Sequence, residues 1–204
     1  NPIVISKKRP GAIRPATSPK KKPVYFTMEQ IALILKEVPK DLKSQTILFL
    51  NTGLRLSELI NLRWEDVDLE NRMLHLQPHG SYAPKNRELN IIPLNDTAYE
   101  LLESLPKSGK YVFSDKSGER PQISDPSWFS TRYRKLFKGL GLYKKGVSVH
   151  TLRHTFASQL AMSGVGLYDI KTLMRHSSIR TTEIYAHLTD KHVREQVQKI
   201  SITG

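Results

Sequence analysis

His150-Thr151-Leu152-Arg153-His154 is followed by His176 and, nine residues after that, by Tyr185. Far upstream, Thr52-Gly53-Leu54-Arg55-Leu56-Ser57-Glu58-Leu59 sets another arginine at the start of a predicted helix. These residue types suit one reaction, the attack of a phenol on a phosphodiester without a metal. That reaction needs a nucleophile in line with the leaving oxygen and cationic donors around the non-bridging oxygens. It also needs an acid for the departing hydroxyl and a base for the nucleophile's proton. A free tyrosine is phenolate in only about one molecule in a thousand at neutral pH, so its surroundings must help. Arginine suits the cradle because its planar fork meets two phosphate oxygens and stays charged. Arg55, just after Gly53, opens a helix, a place that receives anions well. His150 and Arg153, three apart, share one helical face. Either arginine alone reads as a solvated side chain; the five groups in this order carry the reading.

The elements that must hold these groups follow from periodicity and caps. Thr27 with Gln30 three residues on forms a capping-box pattern, and Ile31, Leu33, Ile34 and Leu35 make a first helix to about Val38. Asp41 to Asn51 reads as a second, deeply buried helix that Gly53 terminates, and Leu56 to Leu62 as a third. Met73 to Gln77 and Leu89 to Ile92 are strand-like, separated by Pro78, Gly80 and Pro84, which predicts a small antiparallel sheet whose hairpin carries Lys85 and Arg87. Helical patterns return at Asp96–Leu105, Pro126–Leu140, Thr151–Met162, Leu167–Met174, Ile179–Ala186 and Lys191–Ile200. The expected fold is mainly α with one small antiparallel β-sheet.

Charge narrows the partner. Among 204 residues, 32 Lys and Arg face 19 acids, a formal net charge of +13, which suits a polyanion. Residues 1–23 hold Lys7, Lys8, Arg9, Arg14, Lys20, Lys21 and Lys22 and no acid, so they supply +7 and leave +6 for residues 24–204. The first 23 residues, proline-containing and without hydrophobic periodicity, read as a basic linker or arm; residues 24–204 read as the globular domain. There is no cysteine, no apolar run of the ~20 residues that span a bilayer, and no visible signal peptide. Those absences fit a cytoplasmic protein. The Asn1-Pro2 start reads as a trimmed or processed piece of something longer.

The three boxes together resemble the tyrosine recombinases, the phage-integrase-type site-specific recombinases. Thr52 to Leu59 looks like the family's first arginine box, His150 to Ala157 like its His-x-x-Arg box, and His176 to Tyr185 like its final box. The resemblance covers the chain from about Tyr25 onward and implies that family's catalytic-domain fold. It implies that Arg55 and Arg153 clamp the scissile phosphate while Tyr185 attacks, giving a 3′-phosphotyrosyl intermediate and a free 5′-hydroxyl. His150 would manage the tyrosine's proton, and His176 would hydrogen-bond a phosphate oxygen. Lys85, eight residues before Pro93, matches the family's hairpin lysine, the general acid. Glu58 matches an acid that orients Arg55 or other basic groups. Where the family usually has glycine before the third-box histidine, this chain has Arg175, which alters the turn or adds a phosphate contact. The resemblance places the family's N-terminal core-binding domain outside this sequence, and the basic stretch resembles the linker to it.

Duplex DNA is therefore the expected partner, with Lys20, Lys21, Lys22, Arg87, Arg175 and Arg180 as further DNA contacts. Other protomers are expected on paired sites, docked through a helix at 191–200 whose Val193, Val197 and Ile200 form a stripe. The implied role is integration, excision or resolution of DNA by a cytoplasmic, nucleoid-associated enzyme that takes no cofactor. A type IB topoisomerase shares the chemical groups, but the wording of the boxes favours a recombinase. A non-catalytic DNA-binding protein would need no positioned tyrosine. His150 and His154 stand i, i+4 like a metal pair, yet Thr-Leu-Arg lies between them, no third ligand is evident and Arg153 would repel a cation, so no metal is assigned. His75 and His79 read as exposed residues at a strand end.

Overall fold

The computed structural model of the protein describes residues 22–79, 90–119 and 125–189. Helix α1, Met28–Glu37, opens on the expected reciprocal cap: Gln30 N donates to Thr27 Oγ1 at 3.3 Å and Thr27 N to Gln30 Oε1 at 3.0 Å. Pro39 follows, and α2 runs Lys40–Thr52 with Leu42, Leu48 and Phe49 buried. It stops at Gly53, whose φ of +58° is a left-handed cap that glycine adopts without strain. Helix α3, Leu56–Ile60, ends two residues before the predicted Leu62, because the Leu62 carbonyl instead accepts from Val112 N at 3.0 Å.

The sheet has three antiparallel strands in the order β1 (Val67–Asp68), β2 (Met73–Leu76), β3 (Asn90–Pro93), with Leu74 opposite Ile92. Alternation turns Leu74, Leu76 and Ile92 into the core and Ile91 outward. Strand β1 is absent from the sequence reading: two residues are too few to display a period. The hairpin tip with Lys85 and Arg87 lies outside the described residues, as do Lys20, Lys21 and 191–200.

Helices α4 (Asp96–Ser104), α5 (Pro126–Gly139), α6 (His150–Met162), α7 (Leu167–Leu173) and α8 (Ile179–Thr182) complete the helical set. The predicted helix Ile179–Ala186 is not one α-helix. It is the single turn of α8 followed by a 3₁₀ segment, Glu183–Leu188, that carries Tyr185. Ile179, Thr181, Thr182 and Ile184 are β-branched and weaken a longer α-helix.

Helix α6 joins two apolar clusters. Its Leu152 belongs to the main core with Phe26, Phe49, Leu54, Phe129 and Phe137; its Ala157 and Ala161 pack with Ile170, Met174 and Tyr185. Thr155 on the same helix accepts from Phe26 N at 3.0 Å, tying the segment before α1 to α6. The molecule is thus mainly helical with one small sheet, as the sequence implies. Among the described residues no helix is long and apolar enough to cross a membrane.

Candidate active site

Gly53 is the hub. Its carbonyl accepts from Arg153 Nη1 and, at 3.0 Å, from Arg175 Nη2. A Cβ at this position would lie 2.4 Å from the Phe156 ring, so only glycine lets α6 approach this closely. Two residues on, Arg55 caps α3: its N–H donates to Glu58 Oε2 at 2.7 Å. Its side chain is fixed twice, Nη1 to Glu58 Oε1 at 2.5 Å and Nη2 to the Arg175 carbonyl at 2.6 Å. Arg153, buried in α6, donates through Nη2 to the Met174 carbonyl as well as to Gly53. Burial and the neighbouring Arg175 push its pKa down to about 9, so it remains a cation at neutral pH.

Glu58 is the counter-ion. It is 2% exposed, and burial alone would push its carboxyl up. The charge of Arg175, the Arg55 N–H, and the charges of Arg55 and Arg153 outweigh burial and hold it below the ordinary carboxylate range.

The histidines are tuned the other way. His176, whose Nδ1 stands 2.9 Å from Thr182 Oγ1, is pushed down to about 4 by burial and then by Arg153, Arg55 and Arg175. His154 falls to about 4 through burial, with His150 and Arg153 adding to it. His150, first residue of α6, keeps an exposed edge, and partial burial with Arg153 and Arg55 lowers it too. All three favour the neutral form at neutral pH, beside arginines that do not deprotonate.

Tyr185 is fully buried, and its hydroxyl lies 2.6 Å from His154 Nδ1. Burial raises its pKa to about 12 against the pull of Arg153. At neutral pH only about one molecule in 10⁵ would then be phenolate. The phenol has no accessible surface in this pose.

The phage integrase family pattern matches residues 25–192. The chain belongs to the phage integrase family. It is 33% identical over 190 residues to tyrosine recombinase XerA of Pyrococcus horikoshii, an alignment covering 90% of this chain and 64% of that protein. The chain thus spans less than two thirds of that relative. The fold is that of the Tn1549 transposon integrase solved in complex with a circular intermediate DNA, with a TM-score of 0.72 at 24% identity over 90% of this chain and 67% of that one. It is also similar to the catalytic domain of bacteriophage HP1 integrase, of which it covers 94%, and 86% of this chain is matched, with a TM-score of 0.64 and 24% identity.

Among the residues that the family resemblance singled out, Arg55, Glu58, Arg153 and His176 share one electrostatic neighbourhood, with His150 and Tyr185 at its edges. Lys85 and Arg87 fall outside the described residues. The hydrogen bond to the phenol is made by His154. The available signal was its spacing: His154 lies one turn beyond His150 on α6, one residue past Arg153. Arg175 is not a surface residue: it is 5% exposed, with its guanidinium on Glu58 Oε2 at 2.8 Å. Arg180 and Lys22 are exposed. The His79 side chain is 8% exposed where exposure was expected, its Nε2 2.6 Å from Asp66 Oδ1, so an acid directly before β1 draws it inward.

Proposed function

We propose that residues 24–204 are the catalytic domain of a site-specific recombinase that cuts and rejoins duplex DNA, with residues 1–23 as a basic linker. Arg55 and Arg153 hold the scissile phosphate, His176 donates a hydrogen bond to it, and Tyr185 attacks phosphorus as His150 takes its proton. The 5′-oxygen leaves with a proton from Lys85, and the 3′-phosphotyrosyl bond conserves the energy for rejoining. Glu58 orients Arg55. The observation that carries this reading is the packing of Arg55, Arg153 and Arg175 around the buried carboxylate of Glu58, with Arg153 next in sequence to His154, the residue that bonds Tyr185. A cluster of fixed cations suits an oxyanion in a partly dry site. Lys20, Lys21, Lys22, Arg87 and Arg180 would touch the DNA backbone, and 191–200 would dock on a neighbouring protomer at paired sites. Action on DNA puts the protein in the cytoplasm with the nucleoid.

The test is capture of an SDS-resistant adduct on nicked duplexes with a randomised centre. Tyr185→Phe should abolish the adduct while leaving DNA binding within a few-fold, since only the attacking oxygen is removed. An adduct that persists would mean that another residue attacks. A type IB topoisomerase would instead relax supercoiled plasmid without enriching any sequence in the captured duplexes.

A further inference from the structure

Arg175 sits where an arginine is under strain. Its φ of +52° lies in the left-handed region, which glycine occupies freely and a side chain does not. Its guanidinium nonetheless turns into the interior, with Nη2 on Glu58 Oε2 at 2.8 Å and on Gly53 O at 3.0 Å, and Nη1 on Leu173 O at 2.6 Å. Its own carbonyl accepts Arg55 Nη2 at 2.6 Å. Both ends of the residue therefore act on Arg55, the carbonyl directly and the side chain through Glu58, whose other oxygen holds Arg55 Nη1 at 2.5 Å.

Charge gives the arrangement its purpose. Among the described residues, the guanidiniums of Arg55, Arg153 and Arg175 lie around one carboxylate, that of Glu58. With glycine at 175 one of these cations would be gone, and Glu58 Oε2 would lose its Arg175 partner while keeping the Arg55 N–H. We infer that Arg175 is a positioning residue of the phosphate cradle: it shares one oxygen of Glu58, keeps Arg55 aligned, and adds positive charge that binds a phosphate oxyanion. The inference rests on the phosphodiester reading proposed above, and its first two measurements do not need that activity.

Arg175→Gly removes the side chain and relieves the strained backbone together, so a loss of binding cannot be assigned to a distorted turn. Inorganic phosphate, titrated by NMR against the whole chain, should bind roughly tenfold or more weakly, because a nearby fixed charge is lost in a poorly screened site. In the same spectra the titration midpoint of His176 should rise. The groups facing that ring are Arg153, Arg55, Arg175, His154 and the Thr182 hydroxyl, and one cation has gone. Arg175→Lys should keep phosphate affinity within about threefold of the parent. It should still lower the kcat of adduct formation by roughly tenfold with little change in KM, since an ammonium cannot fork between Glu58 and Gly53. Unchanged phosphate affinity and an unmoved His176 in Arg175→Gly would overturn the inference. If that variant failed to fold, loss of phosphate affinity in Arg175→Lys would overturn it as well. A parent protein that forms no adduct but shows both phosphate and His176 responses would reject the recombinase reading and leave this inference standing.

Discussion

At the scale of single residues, the pair His154 and Tyr185 sets the resting state. A tyrosine raised to about 12 and a histidine lowered to about 4 differ by some eight units, so the proton between them stays on the phenol. On the proposed chemistry, the hydrogen bond stabilises a buried, unreactive pose and must break before Tyr185 can meet a phosphate. A neutral hydrogen bond of this kind contributes about 1 kcal/mol, a factor of roughly five in population. His154→Ala should therefore increase adduct formed per bound protein by about fivefold on a nicked duplex. A tenfold fall would assign His154 the task of taking the tyrosine's proton and would end the resting-pose account. The sequence displayed both residues, but it could not display which histidine meets the phenol, because His150 and His154 are one helical turn apart. That choice depends on how the 3₁₀ segment seats Tyr185 against α6, a tertiary contact across 31 residues.

At the scale of elements, the junction of α2, α3 and α6 governs the geometry of the cradle. Gly53 ends α2, and its carbonyl collects both Arg153 and Arg175, so its backbone conformation sets two guanidiniums at once. Gly53→Ala would place a methyl group 2.4 Å from Phe156 and force a left-handed alanine. The expected loss is about 2–4 kcal/mol in chemical denaturation, from overpacking plus backbone strain. Adduct formation should fall further than the folded fraction does, since both arginines move; a fall that only tracks folding would reduce Gly53 to a packing residue. The glycine and its role as a helix stop were legible because the residue type and the end of the apolar run coincide. The short β1, the early end of α3 and the 3₁₀ turn were not, because each is fixed by a partner distant in sequence: Leu74 for Val67, Val112 for Leu62, the α6 face for Tyr185. The turn at Arg175 was flagged by residue type alone, and its inward side chain follows from the buried charge of Glu58, which periodicity does not reveal.

For the molecule as a whole, the site makes stability depend on pH in a definite direction. His154 and His176 are held near 4 in the folded chain, against about 6.5 for an unfolded one. Above pH 6.5 both states carry neutral rings and the folded state keeps its full stability. As pH falls from 6.5 toward 4, the unfolded chain takes up protons that the folded chain refuses, so stability drops, and it levels off for these groups below 4. Carboxylates such as Glu58, lowered in the folded state, add their own losses only at the acid end. The histidine contribution is therefore cleanest between pH 7 and 5, where unfolded carboxylates are still mostly ionised. Melting temperatures over that window should fall steadily, and His154→Gln, which has no proton to refuse, should flatten part of the fall. Inorganic phosphate should oppose the fall, because an anion among Arg55, Arg153 and Arg175 offsets the cations that keep His176 neutral. A melting temperature that is flat from pH 7 to 5, in the presence or absence of phosphate, would show that burial and the neighbouring cations do not hold these histidines down.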